Sequence, residues 1–192
     1  ILNGSYTLLD TDPLMSPRLN RDGVTSDWGL VRAFPGELSS GDFPYQLFGF
    51  NSGTNPFLQV TFSSIDPTAN IQVALYSSVF DPANLAAGWL ADAGLSTGVP
   101  ASVVTFRFEG QLNTDYQILL FDTNAALTSG GFCVEGFTEA VSPPPAACVI
   151  DYQNVLTPEG QVSAPATLAL VGLGLAGLGW SRRNEASPER LL

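Results

Sequence analysis

The sequence predicts an all-β protein: an antiparallel β-sandwich followed by a single C-terminal transmembrane helix. Three observations carry this. Short runs alternate apolar and polar residues, turn-forming residues separate those runs, and residues 164–181 contain no charge. Period-two alternation marks a strand whose two faces meet different surroundings. An uncharged stretch of that length matches a thin bilayer core.

The clearest strands are Leu58–Ser63, Ile71–Leu75 and Val104–Glu109, where apolar and polar residues alternate. Each is expected to present one face to a core and the other to water. Tyr116–Phe121 is more continuously apolar and is expected to lie centrally. Tyr6–Leu9, Leu30–Phe34, Tyr45–Phe50 and Phe132–Phe137 are weaker strand candidates. Asn51-Ser52-Gly53, Thr54-Asn55-Pro56, Asp66-Pro67, Asn113-Thr114-Asp115 and Ser129-Gly130-Gly131 supply turns at hairpin-length gaps. Many short strands so spaced, without strand–helix alternation, indicate a jelly-roll or immunoglobulin-like sandwich.

The insertion between Val79 and Pro100 breaks this rhythm. Asp81 suits a helix cap, Pro82 suits the first helical position, and Gly94 suits an end. A short helix or an ordered loop at one end of the sandwich is expected there. Val149–Leu156 is expected to form a last edge strand. The domain organisation follows: a sandwich over 1–156, a linker over 157–163, a membrane helix over 164–183 and a cytoplasmic tail over 184–192.

Composition narrows the function classes. Charged residues make up 13% and the net charge is -11, with neither Lys nor His. Helix surfaces are normally filled with Glu, Lys and Gln, so the scarcity of charge favours an exported β-protein. Residues 1–161 carry four Arg against sixteen acids. Such a surface repels phosphate backbones and excludes nucleic-acid partners. Solubility is the plain reading of the acidic excess; attraction of divalent cations or basic partners is the functional one. The chain opens on Ile1 with no basic-then-apolar leader before Asn3, as a mature or partial chain does.

The 192-residue chain ends on an apolar segment with a literal G-x-G-x-x-G, formed by Gly172, Gly174 and Gly177. A dinucleotide fingerprint needs a preceding strand, a following helix and enough chain for a βαβ unit of roughly 30 residues. Only about 15 residues follow Gly177, so dinucleotide binding is excluded. Eighteen uncharged residues from Ala164 to Ser181 span about 27 Å as a helix. Small residues such as Ala169, Gly172 and Gly177 suit close helix packing in a membrane. Arg182 and Arg183 follow at once, which places that end in the cytoplasm and the sandwich outside.

Val162-Ser163-Ala164-Pro165-Ala166-Thr167-Leu168, the glycine-rich apolar run through Trp180, and Arg182-Arg183 together resemble a PEP-CTERM sorting signal. The signature tripeptide reads Ser163-Ala164-Pro165 here, and the tail after Arg183 is longer than is typical. The resemblance implies recognition by exosortase, a membrane cysteine protease-transpeptidase of Gram-negative bacteria. It also implies removal of the tail and passage to the cell surface, often alongside exopolysaccharide. A second resemblance lies in Phe80-Asp81-Pro82-x-Asn84 and Trp89-Leu90-x-Asp92-x-Gly94. These are similar to strings between two strands of secreted sandwiches related to pre-peptidase C-terminal domains. Trp89 stands there where Tyr is usual, and Ala91 where Gly is usual.

Without His or Lys, Ser-His-Asp, Cys-His, Schiff-base and Ser-Lys chemistry are unavailable. No cofactor is expected, and the chain is expected to be non-catalytic. Paired carboxylates remain, with Asp10, Asp12, Asp81 and Asp92 as candidates. Asp beside Pro, Gly or Thr is also a common turn former. Asp10-Thr11-Asp12 begins like a calcium loop but lacks the later Gly and Glu. Asp81, Asn84, Trp89 and Asp92 form a candidate binding loop, and Trp28, Trp89 and Tyr76 are candidates for sugar stacking or for packing. Cys133 and Cys148 are the only cysteines, with no spacing that suits zinc. A disulfide between them would close a loop of ~15 residues and contribute about 3 kcal/mol. The function expected is an exported, exosortase-sorted surface or matrix protein with a structural or adhesive role. A surface module binding carbohydrate or calcium is the alternative, and a hydrolase using two carboxylates the third class.

Overall fold

The computed structural model describes residues 2–38, 41–66, 68–98, 103–125 and 127–141. The chain divides into two units, Ile1–Glu159 and Gly160–Leu192, and all described residues belong to the first. They form β1 (Leu2–Thr7), β2 (Leu14–Met15), β3 (Arg18–Leu19), β4 (Glu37–Leu38), β5 (Phe43–Asn51), β6 (Phe57–Ser64), β7 (Ile71–Ser77), β8 (Trp89–Ser96), β9 (Val103–Glu109), β10 (Asp115–Asp122) and β11 (Ser129–Phe137). There is no helix among the described residues. The expected edge strand at 149–156, linker, membrane helix and cytoplasmic tail lie outside them.

Two antiparallel sheets are present, ordered β1-β11-β6-β9 and β2-β5-β10-β7-β8, with a separate β3-β4 ribbon. Leu58, Val60 and Phe62 of β6 face the same core as Ile71, Val73 and Leu75 of β7 and Tyr116, Ile118 and Leu120 of β10. Tyr6, Phe106 and Phe132 add further aromatic rings to it from the four-stranded sheet. Each such fully buried side chain is worth roughly 1.5–3 kcal/mol of transfer free energy.

The expected central place of Tyr116–Phe121 is borne out, because β10 is the middle strand of the five-stranded sheet. Its other residues, Leu119 and Phe121, meet a second buried cluster with Met15, Leu19, Phe43, Tyr45, Ala74, Tyr76 and Leu85. Both faces of β10 are thus removed from water, which is why its apolar run is continuous.

Four expectations need correction. The gaps at 52–56 and 110–114 have hairpin length but join strands of different sheets, so they are arches. Ser52 and Thr114 tie the two arches together: the Ser52 N–H donates to the Thr114 carbonyl at 2.9 Å, and the Thr114 N–H donates to Ser52 Oγ at 3.0 Å. Leu30–Phe34 is not a strand; it is loop, with Val31 almost fully exposed. The polar face of β6 does not meet water. Gln59, Thr61 and Ser63 are buried; Gln59 donates to Glu135 at 3.3 Å, and the Thr61 and Thr105 hydroxyls are 3.0 Å apart.

The fourth concerns the insertion after Val79. Of the short helix or ordered loop expected there, the ordered loop forms over 80–88, and Trp89–Ser96 is not loop but strand. Phe80–Gly88 is a series of turns, with the Asn84 N–H on the Asp81 carbonyl (3.1 Å) and the Ala87 N–H on the Asn84 carbonyl (3.0 Å). Trp89–Ser96 is strand β8, which pairs β7 through two register shifts. Gly94 ends no helix: it lies inside β8 with φ +66°, a backbone state that glycine adopts without strain.

A cleft beside the Arg32–Asp92 pair

The segment 22–32 straps across one open side of the sandwich, where β8 and β9 are the sheet edges. Its backbone serves both edges. The Gly23 N–H donates to the Gly94 carbonyl at 3.0 Å and the Ser26 N–H to the Asp92 carbonyl at 2.9 Å. The Ser26 carbonyl accepts from the Arg107 N–H of β9 at 3.0 Å. Thr25 Oγ1 adds a bond to the Ala93 carbonyl at 2.9 Å. Asp22 starts the strap locally, its Oδ1 accepting the Val24 N–H at 3.0 Å.

On β8, Ala91 and Ala93 join the core, so Asp92 between them faces the strap. It is fully buried. Arg32 Nη1 donates to Asp92 Oδ1 at 2.6 Å, and Arg32 Nη2 is bonded to Asp22 Oδ1. Trp89 Nε1 donates to Asp92 Oδ2 at 3.2 Å, while the guanidinium lies 5.5 Å from the Trp89 ring centre. Burial pushes the Asp92 carboxyl above its ordinary value, against the pull of Arg32. Asp22, more exposed, is held below its ordinary value by the same guanidinium. Burial works against the Arg32 charge, but the bonds from Asp22 and Asp92 outweigh it and raise its pKa.

Strap, β8 and β9 enclose an open cleft of about 990 Å³. Its aromatic lining comes from Phe34, Trp89, Phe108 and Tyr116. Phe34 and Trp89 meet edge to face at 5.8 Å, as do Phe108 and Tyr116 at 5.4 Å. Its charged lining is Asp27, Arg32, Arg107 and Glu109. Arg107 is anchored by Asp27 at 3.2 Å and by Gln59 at 3.0 Å, and stacks 5.1 Å from the Trp28 ring centre.

The candidate binding loop is divided by the fold. Trp89 lines the cleft, whereas Asp92 is buried, bonded to Trp89 and Arg32. Asp81 and Asn84 form exposed turns over the second cluster, with Asp81 Oδ1 accepting the Ala83 N–H at 2.9 Å. The candidate stacking aromatics do not form one patch. Tyr76 is buried, its hydroxyl donating to the Leu85 carbonyl at 2.9 Å. Trp28 packs on the edges of Phe57 and Phe137 and donates to the Leu58 carbonyl at 3.2 Å. Asp12 accepts from the Leu9 N–H at 2.8 Å and from Gln46 at 3.1 Å, a turn rather than an ion loop. Among the described residues no group of three or more acids or cysteines converges as metal ligands. The Asp22 and Asp92 carboxylates do converge, but the Arg32 guanidinium lies between them and is bonded to both.

Cys133 is buried and disulfide-bonded. Cys148 and every sorting-signal residue from Val162 to Arg183 lie outside the described residues. The reading from sequence missed Asp22, Ser26, Arg32 and Arg107. The available signal was scarcity: only four Arg stand in residues 1–161, and an Arg on an acidic chain finds carboxylates.

The model of the PEP-CTERM protein-sorting motif matches residues 161–183. No curated protein matches the chain. A solved structure, CBM35 from Cellvibrio japonicus Abf62, is 9% identical over 69% of this chain and 97% of its own, with a TM-score of 0.23. At that score the likeness carries no argument.

Proposed function

The chain carries a PEP-CTERM protein-sorting motif at residues 161–183, and from that premise we propose an exported envelope protein whose sandwich is displayed outside the cell as a non-catalytic structural or adhesive domain. The motif implies recognition by exosortase and sorting to the envelope. The finer points rest on chemistry. A disulfide-bonded Cys133 suits an oxidising compartment outside the cytoplasm. The absence of His and Lys from the sequence removes the commonest general bases and amine nucleophiles. Asp10, Asp12 and Asp81 are in turns, and Asp92 is held by Arg32. Anchoring through residues 164–183 before processing, and association with exopolysaccharide after it, complete the proposal.

The motif match is the observation that carries it, and intact mass tests it. Expressed in a host with exosortase, the mature chain should lose the segment beyond about Pro165. The same chain in an exosortase-deleted strain should keep it. Equal masses in both strains, with the tail intact, would overturn sorting and leave simple anchoring.

A further inference from the structure

We propose that the cleft between the strap and the β8–β9 edges binds a short, uncharged oligosaccharide. This goes beyond the sorting assignment, and the binding does not depend on whether the tail is processed.

Size comes first. About 990 Å³ lies at the top of the range for small-molecule sites, which suits several sugar rings better than one. The walls come next. Phe34, Trp89 and Phe108 are only partly buried and line the cleft with apolar ring surface. A pyranose has an apolar C–H face that packs on such rings and a rim of hydroxyls that needs polar partners.

Charge selects against ions. The charged lining residues are two acids, Asp27 and Glu109, and two bases, Arg32 and Arg107. Arg107 is bound to Asp27, and Arg32 to Asp22 and Asp92. An anionic ligand meets a chain of net charge -11 and no free guanidinium among these residues. Peptides are disfavoured for another reason. A strand adds to a sheet through an open edge, and here Gly23 and Ser26 already bond to β8 and β9.

One donor is left over. The Arg32 side chain is only 6% exposed, yet its Nε has no acceptor among the described residues. A buried donor without a partner is costly, and ligand oxygens answer such groups. At the rim, Gln111 is exposed and lines the cleft, with its side-chain amide available to hydroxyls.

The test uses the full chain in a detergent without a sugar headgroup. Cellotetraose, mannotetraose, xylotetraose and maltotetraose are titrated by calorimetry and tryptophan fluorescence, with tetragalacturonate as the acidic counterpart. Saturable binding of at least one neutral tetrasaccharide, tighter than tetragalacturonate, is expected. Gln111→Ala and Phe34→Ala should each weaken it by about tenfold. Gln111 is exposed, so its variant should keep the wild-type melting temperature. Binding of no neutral sugar, tighter binding of tetragalacturonate, or unchanged affinity in both variants would overturn the proposal.

Discussion

Arg32 and Asp92 stand 60 positions apart in sequence, yet Nη1 of Arg32 donates to Oδ1 of Asp92 at 2.6 Å in a buried setting. This pair fixes the strap to the edge of the five-stranded sheet. Removing one member strands the other. Arg32→Met leaves the Asp92 carboxylate buried without its counter-charge, which costs about 3–5 kcal/mol in comparable pairs. Urea denaturation should show this as a lower midpoint. Adding Asp92→Asn should restore part of the loss, because the uncompensated charge is gone. Arg32→Lys should still be destabilised, since one ammonium cannot bridge Asp22 and Asp92 as a planar fork does.

Gly94 and Gly23 offer a matched comparison. Both have positive φ, +66° and +77°. A Cβ at Gly94 would run into the Val24 backbone, whereas at Gly23 it meets open space. Gly23→Ala should cost only the left-handed backbone term, about 1–3 kcal/mol. Gly94→Ala should cost more, because the strap must also move off β8. Melting temperatures give the ranking. Faster hydrogen exchange at Ser26 and Arg107 in Gly94→Ala alone would locate the damage in the strap.

Those same contacts explain what was and was not legible in the sequence. Leu58–Ser63 and Tyr116–Phe121 were readable because a strand's period and the covering of its faces leave a local pattern. Trp89–Ser96 was not. Trp89-Leu90-Ala91-Asp92-Ala93-Gly94 places small residues around a charge, a poor strand pattern by itself. It becomes a strand because Ala91 and Ala93 fit the core, Arg32 compensates Asp92, and the Val24 backbone takes the space beside Gly94. Leu30–Phe34 failed in the opposite sense: its apolar residues suggest a strand, but they belong to the loop that carries Arg32. The cleft was only half visible, since Trp89 stood out while Phe34, Arg107 and Gln111 enter from distant segments.

The two carboxyls on Arg32 give stability opposite slopes with pH. Asp22 is held below its ordinary 3.8 by its hydrogen bond to Arg32, so it stabilises the fold above 3.8. That contribution is lost as pH falls through the native value. Asp66, lowered by its bonds to Thr68, has the same sign. Asp92 is raised above 3.8 by burial, so the native state keeps its proton to higher pH than the unfolded chain does. Its effect is a loss of stability as pH rises from 3.8 through the raised value. Thermal melts across the acid range should show a maximum rather than a monotonic slope. In Asp22→Asn the fall on the acid side should become shallower. An unchanged acid limb would show that Asp22 is not coupled to folding.

Cys133 lies in β11, whose pairing with β1 and β6 makes it interior to the four-stranded sheet. Its side chain is fully buried and disulfide-bonded, and the sequence offers a single other cysteine, Cys148. If both sulfurs belong to one chain, the bond closes a loop of ~15 residues and limits the unfolded ensemble, worth about 3 kcal/mol. Reductant should then lower the melting temperature of the wild type. Cys133→Ser should start near that lower value and be insensitive to reductant. Non-reducing mass should remain that of a monomer, two hydrogens lighter than the reduced chain. A dimer that reductant splits would instead assign the bond to two copies, and the loop-closure term would not apply.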